Sequence, residues 1–139
     1  MTVALAARAL AAAGDPRGVM KLRELTTQAD PRVREEAVLA LGDLADATSA
    51  ETVTPCLKDV SLAVRAVAVY ALGRIGGSAA AAVLRQAVED SLEYEKALEG
   101  RKERGESEQV LRERYGLGAY DLRETLHQAM PVAPPPARR

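Results

Sequence analysis

A chain that transforms a substrate needs groups that attack, donate or accept, and here they are scarce. Its 139 residues hold one histidine, His127, and one cysteine, Cys56. A nucleophile needs a neighbouring base, and a zinc site needs three or four ligands at set spacing. His127 is followed by Gln128, with no second imidazole to join it. No glycine-rich phosphate loop follows a strand-like run, and a lone thiol cannot build a disulfide framework. No catalytic residue, metal ligand or cofactor is expected. The polar side chains that do recur are Arg23 and Thr27, Thr54 and Lys58, and Arg85 and Glu89, which coincide at an offset of 31 residues. Their chemistry is recognition. With Arg23, Lys58 and Arg85 basic, the rows favour a protein partner carrying an acidic segment.

Such rows need a scaffold with the same stride. Residues 31–45, PRVREEAVLALGDLA, set above residues 62–76, match at Val33/Val64, Arg34/Arg65, Ala37/Ala68, Val38/Val69, Leu41/Leu72 and Gly42/Gly73. Leu22, Val53 and Leu84 share that register, and Ala6 and Leu10 fall in the places of Ala37 and Leu41. The unit reads as two helices. Val33, Ala37, Leu41 and Leu44 line one stripe of a 3.6-residue helix, copied by Val64, Ala68, Leu72 and Ile75. Shorter second helices carry Val19, Leu22 and Leu25, then Val53, Cys56 and Val60, then Val83, Leu84, Ala87 and Val88. Gly14-Asp15-Pro16, Thr48-Ser49 and Gly76-Gly77 break the chain between them, and Asp30 caps a helix with Pro31 in its first turn. The arrangement predicts an all-α solenoid of stacked antiparallel helix pairs. Counting core positions turns the six polar residues outward on the second helices, which line the inner curve. Cys56, in the place of Leu25, is expected to be a small buried hydrophobe.

Composition agrees. Hydrophobic residues make up 47% of the chain and charged residues 28%, enough for one core and one wetted surface. There are 27 alanines and neither Phe nor Trp, which disfavours sandwiches and base-stacking domains. Small residues instead let helix backbones approach. A net charge of −1 supplies no field for nucleic acid or anionic lipid. No run approaches the ~20 apolar residues that span a bilayer. With no basic residue ahead of the first apolar stretch, no signal peptide is expected, and the cytoplasm is the expected compartment.

The segments DPRVREEAVLALGDLAD and LAVRAVAVYALGRIGG resemble HEAT repeats, most closely the short bacterial form named after phycobilisome lyases. Asp30-Pro31, Val33-Arg34, Ala37, Leu41 and Gly42 carry the resemblance, with Val64-Arg65, Ala68, Leu72 and Gly73. It implies that the arginine of each repeat pairs with an acidic group in the preceding turn as a structural rung. Here that implies Asp59 with Arg65 and Asp90 with Lys96, and Arg34 opposite Gln28. The resemblance also raises two enzymatic relatives. A deoxyhypusine hydroxylase-like metal site would need repeated His-Glu pairs, which are absent. A bilin lyase-like subunit stays as an alternative, though four Tyr and no other aromatic give little to line a bilin pocket. A nucleic-acid-binding HEAT-like protein is the other alternative. The leading expectation is a non-catalytic protein–protein interaction or scaffold module.

The repeats are expected over residues 1–90. Beyond Asp90, Glu95 and Glu99 replace the apolar Val64 and Ala68 positions, and residues 99–109 read as a charged loop. Residues 91–130 then form a degenerate helical cap, with Leu122, Leu126, Ala129 and Met130 on one stripe and His127 beside it. PVAPPPARR, residues 131–139, reads as an extended tail. At the other end, the first helix offers only Thr2 and Arg8 as polar residues before Gly14. A terminal solenoid helix should be polar outside, so this alanine-rich face is expected to be covered by the C-terminal segment, by a second copy of the chain through self-association, or by another protein.

Overall fold

The computed structural model describes residues 2–111 and 113–114. No strand occurs among them. Three helix pairs follow one another: α1 (Val3–Ala12) with α2 (Pro16–Leu25), α3 (Pro31–Leu44) with a broken second helix, and α5 (Leu62–Ile75) with α6 (Gly77–Arg104). The broken helix consists of a 3-10 turn at Ala47–Ser49, the single α-turn α4 (Ala50–Val53), and a 3-10 stretch at Thr54–Lys58. α3 packs between α1 and α5, and α2 packs on α1 and α3.

The starts of these helices follow from local chemistry. Asp15 and Asp30 each accept the N–H two residues on (Arg17 and Arg32) at 2.9 Å, with proline at the first helical position. That proline lacks a donor where the helix has no acceptor to offer it. Thr2 caps α1 by accepting from Leu5 N–H at 3.1 Å.

The seam is continuous. Leu22, Ala37, Val38, Leu41, Val53, Val64, Ala68 and Leu72 are fully buried, and Leu41 and Leu72 hold equivalent places in α3 and α5. Two glycines set the spacing. A Cβ on Gly18 would lie 2.4 Å from the Ala7 carbonyl oxygen, and one on Gly42 would lie 2.7 Å from Ala71 Cα. Only a missing side chain allows α2 to lie on α1, and α5 on α3, at such separations.

In the helices the structure departs from the expectations at Val88, a stripe residue that is 42% exposed, and in four larger respects. First, α1 buries Ala4 and Ala7, whereas Leu10 is 45% exposed and Ala6 only half-buried. Alanine on nearly every side gives this helix no strong inward stripe, so Gly18 decides which side faces α2. Second, Val60 is not a core residue: it is 85% exposed, and Leu57 is buried instead. Pro55 removes a helical donor, and the 3-10 winding that follows has 3.0 residues per turn, which shifts every later side chain. Third, α6 runs unbroken through residue 90, so the boundary between 1–90 and 91–130 falls inside one helix. Fourth, residues 99–104 of the expected loop are helical, and the chain turns only after α6 is capped at Gly105.

The charged stretch orders itself. Arg101 pairs with Glu108 at 2.9 Å, and Glu106 receives Arg104 at 3.2 Å and Arg114 at 3.0 Å. Arg104 also donates to the Ala97 carbonyl at 2.9 Å. These bonds hold a second apolar cluster of Tyr94, Ala97 and Leu111, with Leu98 against it. The expected C-terminal stripe, His127 and the proline-rich tail lie outside the described residues.

Candidate interaction groove

Between α2 and the broken helix of the second unit runs an open groove of about 550 Å³. Arg23, Glu24, Thr26 and Thr27 form one wall, and Thr52, Pro55, Cys56 and Asp59 the other. Of the six residues expected in two rows, only Arg23 and Thr27 line it. Thr27 is exposed and donates its hydroxyl to the Glu24 carbonyl at 2.9 Å; Thr54 is half-buried and donates to Ala50 O at 2.8 Å. Lys58 is exposed at the end of the 3-10 stretch, and Arg85 and Glu89 are exposed on α6. The rows do not run on because residues four apart in a 3-10 stretch no longer share one face.

Arg23 is not free to meet a partner's carboxylate. Its guanidinium donates to Ser49 Oγ at 3.1 Å, to Asp46 Oδ2 at 3.2 Å, and to the Thr48 hydroxyl. Burial pushes the Asp46 carboxyl up, but hydrogen bonds from Ser49, Thr48 and Arg23 outweigh this and hold it below the ordinary carboxylate range. The periodicity does not point to this cluster: one period back Asp46 and Thr48 fall on Asp15 and Arg17, which pair with each other, and one period on they fall on Gly77 and Ala79.

Behind the groove stands the strongest ion pair between units. Arg34 Nε and Nη2 bond Asp59 Oδ2 and Oδ1 at 2.8 and 2.9 Å, and both side chains are only 12% exposed. Arg34 Nη1 also donates to the carbonyls of Gln28 and Ala29, each at 2.8 Å. Arg65 repeats the backbone half of this pattern, donating to Asp59 O at 2.7 Å. The Asp59 carboxylate thus serves the arginine of the preceding unit, where the resemblance had implied Arg65. Burial raises its pKa, yet the bonds from Arg34 and from Ser61 N–H outweigh that and leave it lowered. Asp90 and Lys96 form no such rung. Both lie in the unbroken α6, where six residues place side chains about 240° apart around the axis, and Asp90 instead accepts from Gln86 at 2.8 Å.

On the other face, Asp43 ties three successive first helices, receiving Arg8 of α1 at 3.2 Å and the Tyr70 hydroxyl of α5 at 2.8 Å. Beside it, Thr2, Ala4, Leu5, Arg8, Glu36, Leu39 and Ala40 line a second, mostly apolar groove of about 270 Å³. Val3, Leu5 and Leu10 leave 58%, 53% and 45% of their surface exposed. Cys56 is buried, and burial pushes its thiol up to about 11, far from a reactive thiolate. Among the described residues no three His, Cys, Asp or Glu side chains gather, and no helix is long and apolar enough to cross a membrane.

A family model described as HEAT repeats matches residues 2–61 and again residues 27–99. No curated protein and no solved structure matches the chain.

Proposed function

Because the chain belongs to the HEAT-repeat family, we propose that it is a non-catalytic interaction module that holds an extended segment of a partner protein between α2 and residues 50–58. The groove walled by Thr27 and Thr52 carries this reading. Hydroxyls with spare lone pairs accept backbone N–H groups from an extended chain without demanding a particular sequence. With Arg23 engaged by Asp46, any preference of the groove for acidic groups falls to Lys58, exposed at the end of its second wall. Fold alone does not specify function, so the groove must be tested directly. Affinity capture with the intact chain is compared with a Thr27→Arg, Thr52→Arg double variant of matched Tm. Proteins held by the wild type should be lost from the variant; an unchanged retained set would refute the groove. Lys58→Glu then tests the preference for acid, and a salt-dependent shift of duplex DNA would move the reading to nucleic acid.

The exposed Val3, Leu5 and Leu10 of α1 support self-association through this helix as part of the same proposal. Sedimentation across a concentration series should show a mass increase that Leu5→Glu removes. A strict monomer at every concentration would end that part.

A further inference from the structure

Each link from a second helix to the next first helix shortens along the chain. Five residues, 26–30, join α2 to α3, and three, Asp59, Val60 and Ser61, join the 3-10 stretch to α5. In the latter, Asp59 and Ser61 are extended at ψ 148° and 123°, Asp59 Oδ1 accepts Ser61 N–H at 2.9 Å, and Val60 is 85% exposed. One period on, Asp59-Val60-Ser61-Leu62 becomes Asp90-Ser91-Leu92, the same turn without its exposed valine.

From that point the register continues at an offset of 30. Val64, 0% exposed, matches Tyr94, 1% exposed, and Val67 and Ala68 match Ala97 and Leu98. The first half of the apolar stripe of a fourth first helix is therefore present, up to Leu98, and it joins the second apolar cluster, while the places of Leu72 and Ile75 are taken by Lys102 and Gly105. The family-model match likewise extends to residue 99, past the junction. Yet α6 passes through Asp90 and Ser91 without a break and runs for 28 residues, against 10 in α2. On α5, Gly73 stands in the place of Gly42, but a Cβ there meets nothing within 4 Å, where one on Gly42 meets Ala71.

We infer that α6 is two repeat helices, the second of the third unit and the first of a fourth, fused where one turn residue is missing, and that this fusion ends the regular stack. Two residues are the shortest link between antiparallel helices. With no extra turn residue between Asp90 and Ser91 to interrupt it, a helix gains one hydrogen bond for each residue it continues, so the turn is lost and the fourth helix becomes an arm.

The test inserts valine between Asp90 and Ser91, restoring the Asp59–Leu62 pattern. Spin labels at the exposed Ala82 and Glu103, in a Cys56→Ala background, are 21 residues apart, roughly 31 Å along one helix. The wild type should give that single distance; the insertion variant should give less than about 20 Å, as expected for packed antiparallel helices. A folded insertion variant that keeps the long distance overturns the inference. If the insertion prevents folding, two proline variants decide. Ser91→Pro builds the Asp-Pro start already used at Asp15-Pro16 and Asp30-Pro31; it removes one hydrogen bond of the continuous helix but should lower Tm clearly less than Lys96→Pro does. Lys96→Pro, inside the fourth helix, should lose cooperative unfolding. Equal damage from both would show that position 91 is ordinary helix interior.

Discussion

Gly42 and Gly73 are the same residue in the same place of two consecutive units, and they should respond to alanine with opposite signs. A new Cβ on Gly42 would sit 2.7 Å from Ala71 Cα and 2.8 Å from Ala71 Cβ, against ordinary van der Waals separations of 3.4 Å or more. Neither target is a flexible side-chain end, so α3 and α5 must separate along the seam that buries Leu41 and Leu72. Overpacking costs about 1–3 kcal/mol; with backbone as the clashing partner the upper part of that range applies, and about 1–2 kcal/mol remains after the alanine preference of about 0.5–1 kcal/mol is credited. Gly73 has nothing within 4 Å, so Gly73→Ala keeps the preference alone, about 0.5–1 kcal/mol of stabilisation near a helix end. At roughly 4 °C per kcal/mol for a domain of this size, Gly42→Ala should lower Tm by about 4–8 °C and Gly73→Ala raise it by about 2–4 °C. Thermal melts followed by circular dichroism at 222 nm read both. The double variant Gly42→Ala with Ala71→Gly should lose less than the sum of the two single losses, because the clash with the residue 71 methyl is removed while the clash with its backbone persists. Shifts of the same sign and size at the two glycines would refute the packing of α3 on α5.

The Arg34–Asp59 pair gives a second expectation. Asp59→Ala strands the guanidinium at 12% exposure and should cost about 2–4 kcal/mol in urea denaturation, whereas Asp59→Asn, which keeps the acceptor for Ser61 N–H, should cost less. Because folding lowers the Asp59 pKa, its contribution is complete above the ordinary value of 3.8 and is lost as pH falls below it; stability of Asp59→Asn should depend less on pH there, and an identical acid profile would contradict the pair. Leu41→Ala should cost about 2–5 kcal/mol, while Leu10→Ala, at a site 45% exposed, should cost well under half as much; equal losses would mean that α1 is turned the other way. Cys56, 6% exposed with its thiol near 11, should label with a disulfide reagent far more slowly in buffer than in urea, and rapid labelling of native protein would place it at the surface.

The sequence carried the solenoid in its period. Leu41 and Leu72 are large, apolar and one stride apart, and large buried side chains leave a clear trace in sequence. The traces failed where residue size carried no information. In α1, alanine on almost every side left the inward face undetermined until Gly18 met Ala7 and Ala11. In the groove, Arg23 looked like a row member because charge and spacing are visible, but its capture by Asp46 and Ser49 depends on a loop that brings together residues 23 and 26 positions apart.

What the amino acids determined unaided was local: the Asp-Pro helix starts, the two-helix unit and the shortage of groups that could catalyse, whereas the packing decided that Gly42 and not Gly73 marks a close approach. What only the tertiary structure decided was which partner each polar group chose. Asp59 could have turned to Arg65, six residues away along the chain, but the packed helices bring Arg34 of the previous unit within two hydrogen bonds of it. Apolar stripes repeat because every layer needs the same seam, whereas a charged side chain bonds to whatever the stack brings within about 3 Å. Distance in space, not along the chain, makes that choice.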